Sequence, residues 1–229
     1  MFGIIYIVLS LMLGKELAEV LLFTGKNSTL PGIDHKKKSC NPIWIRMPAA
    51  FGMGMLVFGW GTYMIAWAAS EAGAAKPLIY GNTAVMLVSA VFIGYLYSKR
   101  YRRTGSVLTE ADRNLVTDCN SFRKECLVFG ILFVFLTWIM FYVFYIRDGV
   151  LYSGFTVYGD YAPHTAMMRS FSKGNNFPTE YPHFGGQDVK YHFMFQFLVG
   201  NLEFLGIRLD FAYNIVSVLA LLGFLMLLY

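Results

Sequence analysis

Asp160 and His164 stand four residues apart in a polar, Gly-, Pro- and His-rich stretch that ends at His192. On a helix that spacing puts both side chains on one face. An Asp/His pair so placed can orient an imidazole for proton transfer or share a divalent cation. Three of the chain's four histidines, His164, His183 and His192, fall in this stretch. His183, Asp188 and His192 are the groups that would complete a metal site around Asp160 and His164, although their spacings match no standard zinc pattern. Lys190, Tyr191 and His192 follow directly, three donors just before the next apolar run. A carboxylate at a helix terminus can act as a general base, and it can equally be a plain cap. Asp at the N-cap, Pro163 in the first turn and Gly174 just past the end predict a helix over 161–173 capped by Asp160. Both roles stay open for Asp160.

The predicted helix carries Met167, Met168 and Phe171 as an apolar face, expected to lie along a membrane surface. Residues 175–182 contain two prolines and an Asn pair, which force turns, and Gly185-Gly186 adds backbone freedom. Beyond them His192, Gln196, Gly200 and Glu203 recur at steps of four, four and three, a polar stripe on one helix face. Within a membrane such a stripe faces the protein interior or a wet cavity, where it serves as a pathway or as adhesive between helices.

The elements that must hold these groups are membrane spans. The chain has 229 residues, 56% of them hydrophobic and only 14% charged, against about 25% charged in a soluble domain. Six apolar segments are legible, over 2–23, 49–69, 82–97, 127–146, 191–207 and 211–229. Most approach the ~20 residues that cross a bilayer, the third and fifth being short. The fold class expected is therefore all-α: a polytopic transmembrane bundle of about six spans, with an interfacial helix in an outer loop. Lys15, Glu16 and Glu19 interrupt the first segment, where Lys15 and Glu19 are spaced to pair with each other. The last segment is apolar to Tyr229, which reads as a fragment of a longer membrane protein.

Basic residues set the expected orientation. Loop 24–48 carries Lys26, Lys36, Lys37, Lys38 and Arg46, and loop 98–126 carries Lys99, Arg100, Arg102, Arg103, Arg113, Arg123 and Lys124. Both are cytoplasmic by the positive-inside rule, which leaves the N-terminus and loop 147–190 outside. Loop 98–126 reads as an exposed amphipathic helix with Thr109 as a cap, its cations meeting anionic headgroups. The sequon Asn27-Ser28-Thr29 would face the cytoplasm, and Cys40, Cys119 and Cys126 are expected as free thiols. Residues 1–126 form a three-span region with basic loops, and residues 127–229 form a second region that contains the polar loop. The net charge of +5 is that of loops beside spans and does not call for nucleic acid. No phosphate loop, dinucleotide fingerprint, HExxH or GxSxG motif is present.

Gly159-Asp160-Tyr161, His164, Gly174-Asn175-Asn176-Phe177-Pro178, Tyr181-Pro182, Gly185-Gly186 and Tyr191-His192-Phe193 follow a span that leads outward. This pattern, over about 141–229, resembles the first outer loop of GT-C-type membrane glycosyltransferases. It is closest to a prokaryotic branch related to the protein mannosyltransferase and aminoarabinose transferase groups. Here three spans precede the loop, and Tyr161 rather than a second acid follows Asp160. The resemblance implies transfer of a sugar from a polyprenyl-phosphate donor to an acceptor on the outer membrane face. It implies Asp160 as catalytic base or metal ligand, with a divalent ion at Asp160 and His164 as the possible cofactor. Lys190, Tyr191 and His192 are, by location and chemistry rather than by motif, the candidates to bind the lipid phosphate of the substrate, with His164 a further substrate-binding candidate. Lipid-linked sugar, membrane lipids and other membrane proteins are the implied partners. A non-catalytic scaffold subunit of envelope polysaccharide assembly and part of a transporter or flippase are the other classes this sequence admits.

Overall fold

The computed structural model describes residues 2–22, 41–109, 112, 115–155 and 158–229. The Asn27 sequon, Cys40, Lys26, Lys36, Lys37, Lys38 and Arg113 lie outside them. Seven helices and one hairpin make up the described chain: α1 Phe2–Leu22, α2 Ile43–Glu71, α3 Pro77–Thr104, α4 Cys119–Val143, β1 Phe144–Arg147, β2 Val150–Ser153, α5 Tyr158–Gly174, α6 Met194–Phe204 and α7 Leu209–Leu228. The all-helical expectation holds apart from the hairpin. Four of the helices, α2, α3, α4 and α7, are long and apolar enough to cross a membrane.

Local chemistry explains most boundaries. Pro77 opens α3, where its missing N–H costs nothing, and Gly105 closes it at φ +66° with its N–H on the Tyr101 carbonyl. The basic residues from Lys99 to Arg103 therefore extend α3 and do not belong to a separate amphipathic helix. Thr109 and Asp112 exchange side-chain and backbone bonds at 3.0 and 2.8 Å, a capping box at the position expected for Thr109. Asp118 caps α4 through the N–H groups of Asn120 and Ser121. Cys119 and Cys126 are free and exposed. The fourth apolar segment stops being helical at Val143. Asp148-Gly149, both at positive φ, make the tight turn that pairs Phe144 with Ser153 and Arg147 with Val150.

The bundle has two distinguishable ends. At the basic end, Trp44 of α2, Glu125 of α4 and Tyr229 after α7 meet. The Glu125 carboxylate accepts from Asn41 Nδ2 and Trp44 Nε1 at 2.6 Å each, from Ser121 Oγ at 2.7 Å and from Tyr229 Oη at 3.3 Å. At the hairpin end, Gly3 N–H bonds the Leu205 carbonyl and Ile146 N–H bonds Asp210 Oδ2. α7 thus starts beside the hairpin and finishes at the basic end. α6 stays at the hairpin end, because Leu205 beside Gly3 is no deeper than Phe193 and Phe197 on Tyr63 of α2. With 11 residues it is ~16 Å long, about half of a hydrocarbon core. The fifth apolar segment therefore does not lead from one end of the bundle to the other.

Charges in α1 are matched by other elements rather than by each other. Lys15 pairs with Asp112 at 2.8 Å, Glu16 with both terminal guanidinium nitrogens of Arg100 at 3.1 and 2.5 Å, and Glu19 with Arg46. The expected Lys15–Glu19 pair is replaced by three ties, to Asp112, to α3 and to α2. Upward from these ties α1 packs backbone to backbone on α2. A Cβ at Gly14 would lie 1.9 Å from the Ala50 carbonyl oxygen, and one at Gly54 would lie 2.0 Å from that of Ser10. Such contacts maximise dispersion where no hydrophobic force drives helices together. Near the hairpin end, Asn82 of α3 and Asn201 of α6 exchange amide bonds at 2.6 and 2.9 Å. Tyr6 and Thr62 share a bond beside them.

Candidate functional site

α5 begins at Tyr158, so Asp160 lies in its first turn and is not the cap. A carboxylate there still suits the positive helix end. Asp160 is exposed, and no hydrogen bond or ion pair among the described residues engages it. Pro163 sits inside the helix, where it removes the bond to the Gly159 carbonyl. The helix includes Gly174, and Asn175 at φ +51° supplies the left-handed turn after it. The apolar face does not lie on a membrane surface. Met167, Met168 and Phe171 are buried in protein, Met168 against Leu198, Val199 and Leu202 of α6, and Phe171 against Phe177 and Phe197.

α5 and α6 run side by side in the same direction. His164 meets Gln196, with Nδ1 and Nε2 2.8 Å apart. One turn on, Met168 meets Gly200, and then Ser172 Oγ donates to Glu203 Oε2 at 2.6 Å while Arg169 pairs with Glu203 at 3.5 Å. The polar stripe of the fifth apolar segment is thus the seam between these two helices. His192, the first member of the expected stripe, precedes α6 and is exposed.

The intervening chain folds over the seam. Asn176 clamps the backbone of Glu180 by accepting its N–H at 2.9 Å and donating to its carbonyl at 2.8 Å. Glu180 bridges Asp188 in antiparallel fashion, Tyr181 N–H reaches the Gln187 carbonyl, and Gly186 N–H reaches the Glu180 carboxylate. The loop is anchored on α2 by Tyr63 with Thr179 at 2.9 Å and by Ser70 to the Phe177 carbonyl at 3.0 Å.

This loop closes a cavity of about 80 Å³ whose wall includes His164, Tyr181, His183, Tyr191, His192 and Gln196. Three distant histidines therefore converge on one space, with no Asp, Glu, Lys or Arg in its lining. Asp160 precedes His164 by one turn, ~6 Å of rise, on the same helix face. Lys190 is exposed beside the cavity and Asp188 is exposed on the loop; neither is part of the wall. The structure thus groups His164, Tyr191 and His192, sets Asp160 at one margin and leaves Lys190 outside.

The His164 Nδ1 is engaged by Gln196, and no group of three or more His, Cys, Asp or Glu among the described residues is placed to hold an ion. Sequence reasoning missed Tyr181 and the part played by Gln196. Gln196 is 4% exposed, and its Oε1 has no partner. A Gln on the inward face of an apolar helix was the available signal. No protein-family model, no curated protein and no solved structure matches this chain.

Proposed function

We propose that this chain is a GT-C-like membrane glycosyltransferase that moves a sugar from a polyprenyl phosphate to an acceptor hydroxyl at the outer membrane face. The observation that carries the reading is Asp160: an exposed carboxylate in the first turn of α5 with no hydrogen bond or ion pair among the described residues, one helical turn from a cavity walled by imidazoles and phenols. The resemblance of the loop motifs supplies the reaction type.

α1, α2, α3, α4 and α7 make five crossings in this reading. α1, with 21 residues, is ~31 Å long, and its three charges are paired by neighbours at the basic end. The N-terminus and the region 144–208 lie outside, and the ends of α2, α3 and α4 that bear Arg46, Arg102, Arg103, Arg123 and Lys124 lie in the cytoplasm, in accord with their basic excess. α6 is an outer half-length helix and not a sixth crossing.

Asp160 takes the proton of the acceptor hydroxyl as that oxygen attacks the anomeric carbon. The bond from that carbon to the phosphate oxygen breaks, and polyprenyl phosphate leaves with its electron pair. His164, Tyr191 and His192 contact the sugar or the phosphate, and Lys190, exposed beside the cavity, offsets the phosphate charge. No step is routed through a metal, since Asp160 and His164 alone do not complete a ligand set.

A positioned base is worth about 10²–10⁴-fold. Transfer from lipid-linked sugar by the protein in nanodiscs should fall by about that much in Asp160→Asn, which keeps side-chain size and breaks no hydrogen bond or ion pair among the described residues. Transfer at the wild-type rate in that variant rules out the assignment.

A further inference from the structure

A groove runs along the basic half of the bundle, away from Asp160. α1 and α7 both pack on α2 there. α1 is held by Gly14 against the Ala50 carbonyl, and α7 by Gly223 against Pro48, where an added Cβ would lie 3.1 Å from Pro48 Cβ. Two residues on a helix of 3.6 per turn stand about 160° apart by the shorter way round. Met47 and Phe51 fall on the arc between Pro48 and Ala50, and they form the floor of a groove of about 370 Å³ walled by Leu11 of α1 and by Leu219 and Leu222 of α7. Met47 is exposed along it. Toward the basic end the lining changes from apolar to charged, with Lys15, Glu19, Arg46 and Asp112. These make two cation–carboxylate pairs, Lys15 with Asp112 and Arg46 with Glu19, so the rim is neutral in sum. The side chains of Lys15, Arg46 and Glu19 keep 33%, 20% and 18% exposure, enough for a ligand at the rim to touch each. From Leu11 to Glu19 the α1 wall rises ~12 Å, close to the ~15 Å of hydrocarbon in one leaflet.

We propose that this groove holds one phospholipid of the leaflet at the basic end, with a phosphoethanolamine headgroup. An acyl chain lies on Met47, Phe51, Leu219 and Leu222. The phosphate accepts from Lys15 and Arg46, and the headgroup ammonium donates to Glu19. The lining follows the order of such a molecule, hydrocarbon toward the middle of the bilayer and both signs of charge toward its surface. An anionic headgroup brings the two carboxylates of the rim no cation. A choline headgroup brings a cation with no N–H to donate, and so forgoes the charge-assisted bond to Glu19. The inference uses the five crossings proposed above and does not depend on the sugar chemistry.

Native mass spectrometry of the full chain tests this, after delipidation in detergent and addition of dioleoyl phosphatidylethanolamine, phosphatidylglycerol or phosphatidylcholine. One phosphatidylethanolamine should be retained per chain. The other two, with the same acyl chains, should bind about tenfold more weakly, the scale of one lost charge-assisted hydrogen bond. Glu19→Gln leaves two cations against one carboxylate at the rim and should turn the preference to phosphatidylglycerol, a reversal that mere loosening of the bundle does not produce. Because Glu19→Gln also removes a tie between α1 and α2, Met47→Trp is read separately. It fills the groove from an exposed position, leaves both charge pairs in place, and should lower retention of phosphatidylethanolamine about tenfold. No retained lipid, equal retention of the three lipids, unchanged retention in Met47→Trp or an unchanged preference in Glu19→Gln each overturns the inference. Sugar transfer is not read in this experiment, so its result and that of Asp160→Asn can fail separately.

Discussion

Substituting Gly200 by Ala should pry apart the two helices that carry the site. The new Cβ would lie 2.2 Å from the Met168 carbonyl oxygen, 3.1 Å from its carbon and 3.3 Å from Phe171 Cβ. A carbon and a carbonyl oxygen approach to about 3.3 Å at closest, so α5 and α6 must separate by about 1 Å. The nearest atom is backbone, so no rotamer change relieves the clash. Overpacking of this kind costs about 1–3 kcal/mol. Alanine returns about 0.5–1 kcal/mol by restricting the unfolded chain, for a net loss of about 0–2.5 kcal/mol. The His164–Gln196 and Ser172–Glu203 bonds lie one turn to either side of the contact and should lengthen with it. Denaturant unfolding in detergent, followed by tryptophan fluorescence, measures the loss, and hydrogen exchange over α5 locates it. Gly94→Ala and Gly130→Ala are internal controls, because nothing lies within 4 Å of a Cβ at either position. Both should stabilise by about 0.5–1 kcal/mol. If Gly200→Ala behaves as these controls do, the close parallel packing of α5 and α6 is refuted.

Other perturbations probe the supports of the site. Asn201→Leu leaves buried Asn82 without its reciprocal partner and should cost about 1–3 kcal/mol; the Asn82→Leu/Asn201→Leu pair should cost less than the sum, as a double-mutant cycle would read. Arg100→Leu strands the Glu16 carboxylate, whose side chain is 5% exposed, and should cost about 3 kcal/mol or more, largely restored when Glu16→Leu is added. Burial opposes the charge of Asp112, but the Lys15 ammonium and the Thr109 N–H and hydroxyl outweigh it and hold the carboxyl below the ordinary aspartate value. Its contribution is thus complete above about pH 4 and lost as pH falls through the lowered value, so Asp112→Asn should flatten the acid limb of an unfolding-midpoint profile. Asp160→Asn should change unfolding free energy by no more than ~1 kcal/mol, the scale of a charge at a helix N-terminus.

Much of the fold is written in local chemistry. Pro77, Gly105, Thr109 and Asp118 mark boundaries that the structure keeps, because caps and turns are decided within four or five residues. The hairpin is not expected from the sequence analysis: its first strand continues the apolar run 127–146, which reads as span, although Asp148-Gly149 after it has local turn chemistry. The seam residues Gln196, Gly200 and Glu203 were legible as one helix face. Their partners were not, since periodicity says which face is special and nothing about what covers it.

Composition and periodicity alone determined that this is a helical membrane protein and that three of its four histidines and the polar stripe of Gln196 and Glu203 fall between residues 160 and 203. Burial of apolar surface in a bilayer and local hydrogen bonding depend on neighbouring residues, so both can be read along the chain. Tertiary structure decided the rest. It showed that α6 turns back at the hairpin end, that the charges of α1 answer to Asp112, Arg100 and Arg46, and that His164, His183 and His192 share one cavity while Asp160 stands at its edge. These are contacts between residues up to about a hundred positions apart, and such pairings are set by how the helices pack, which no spacing in the sequence encodes.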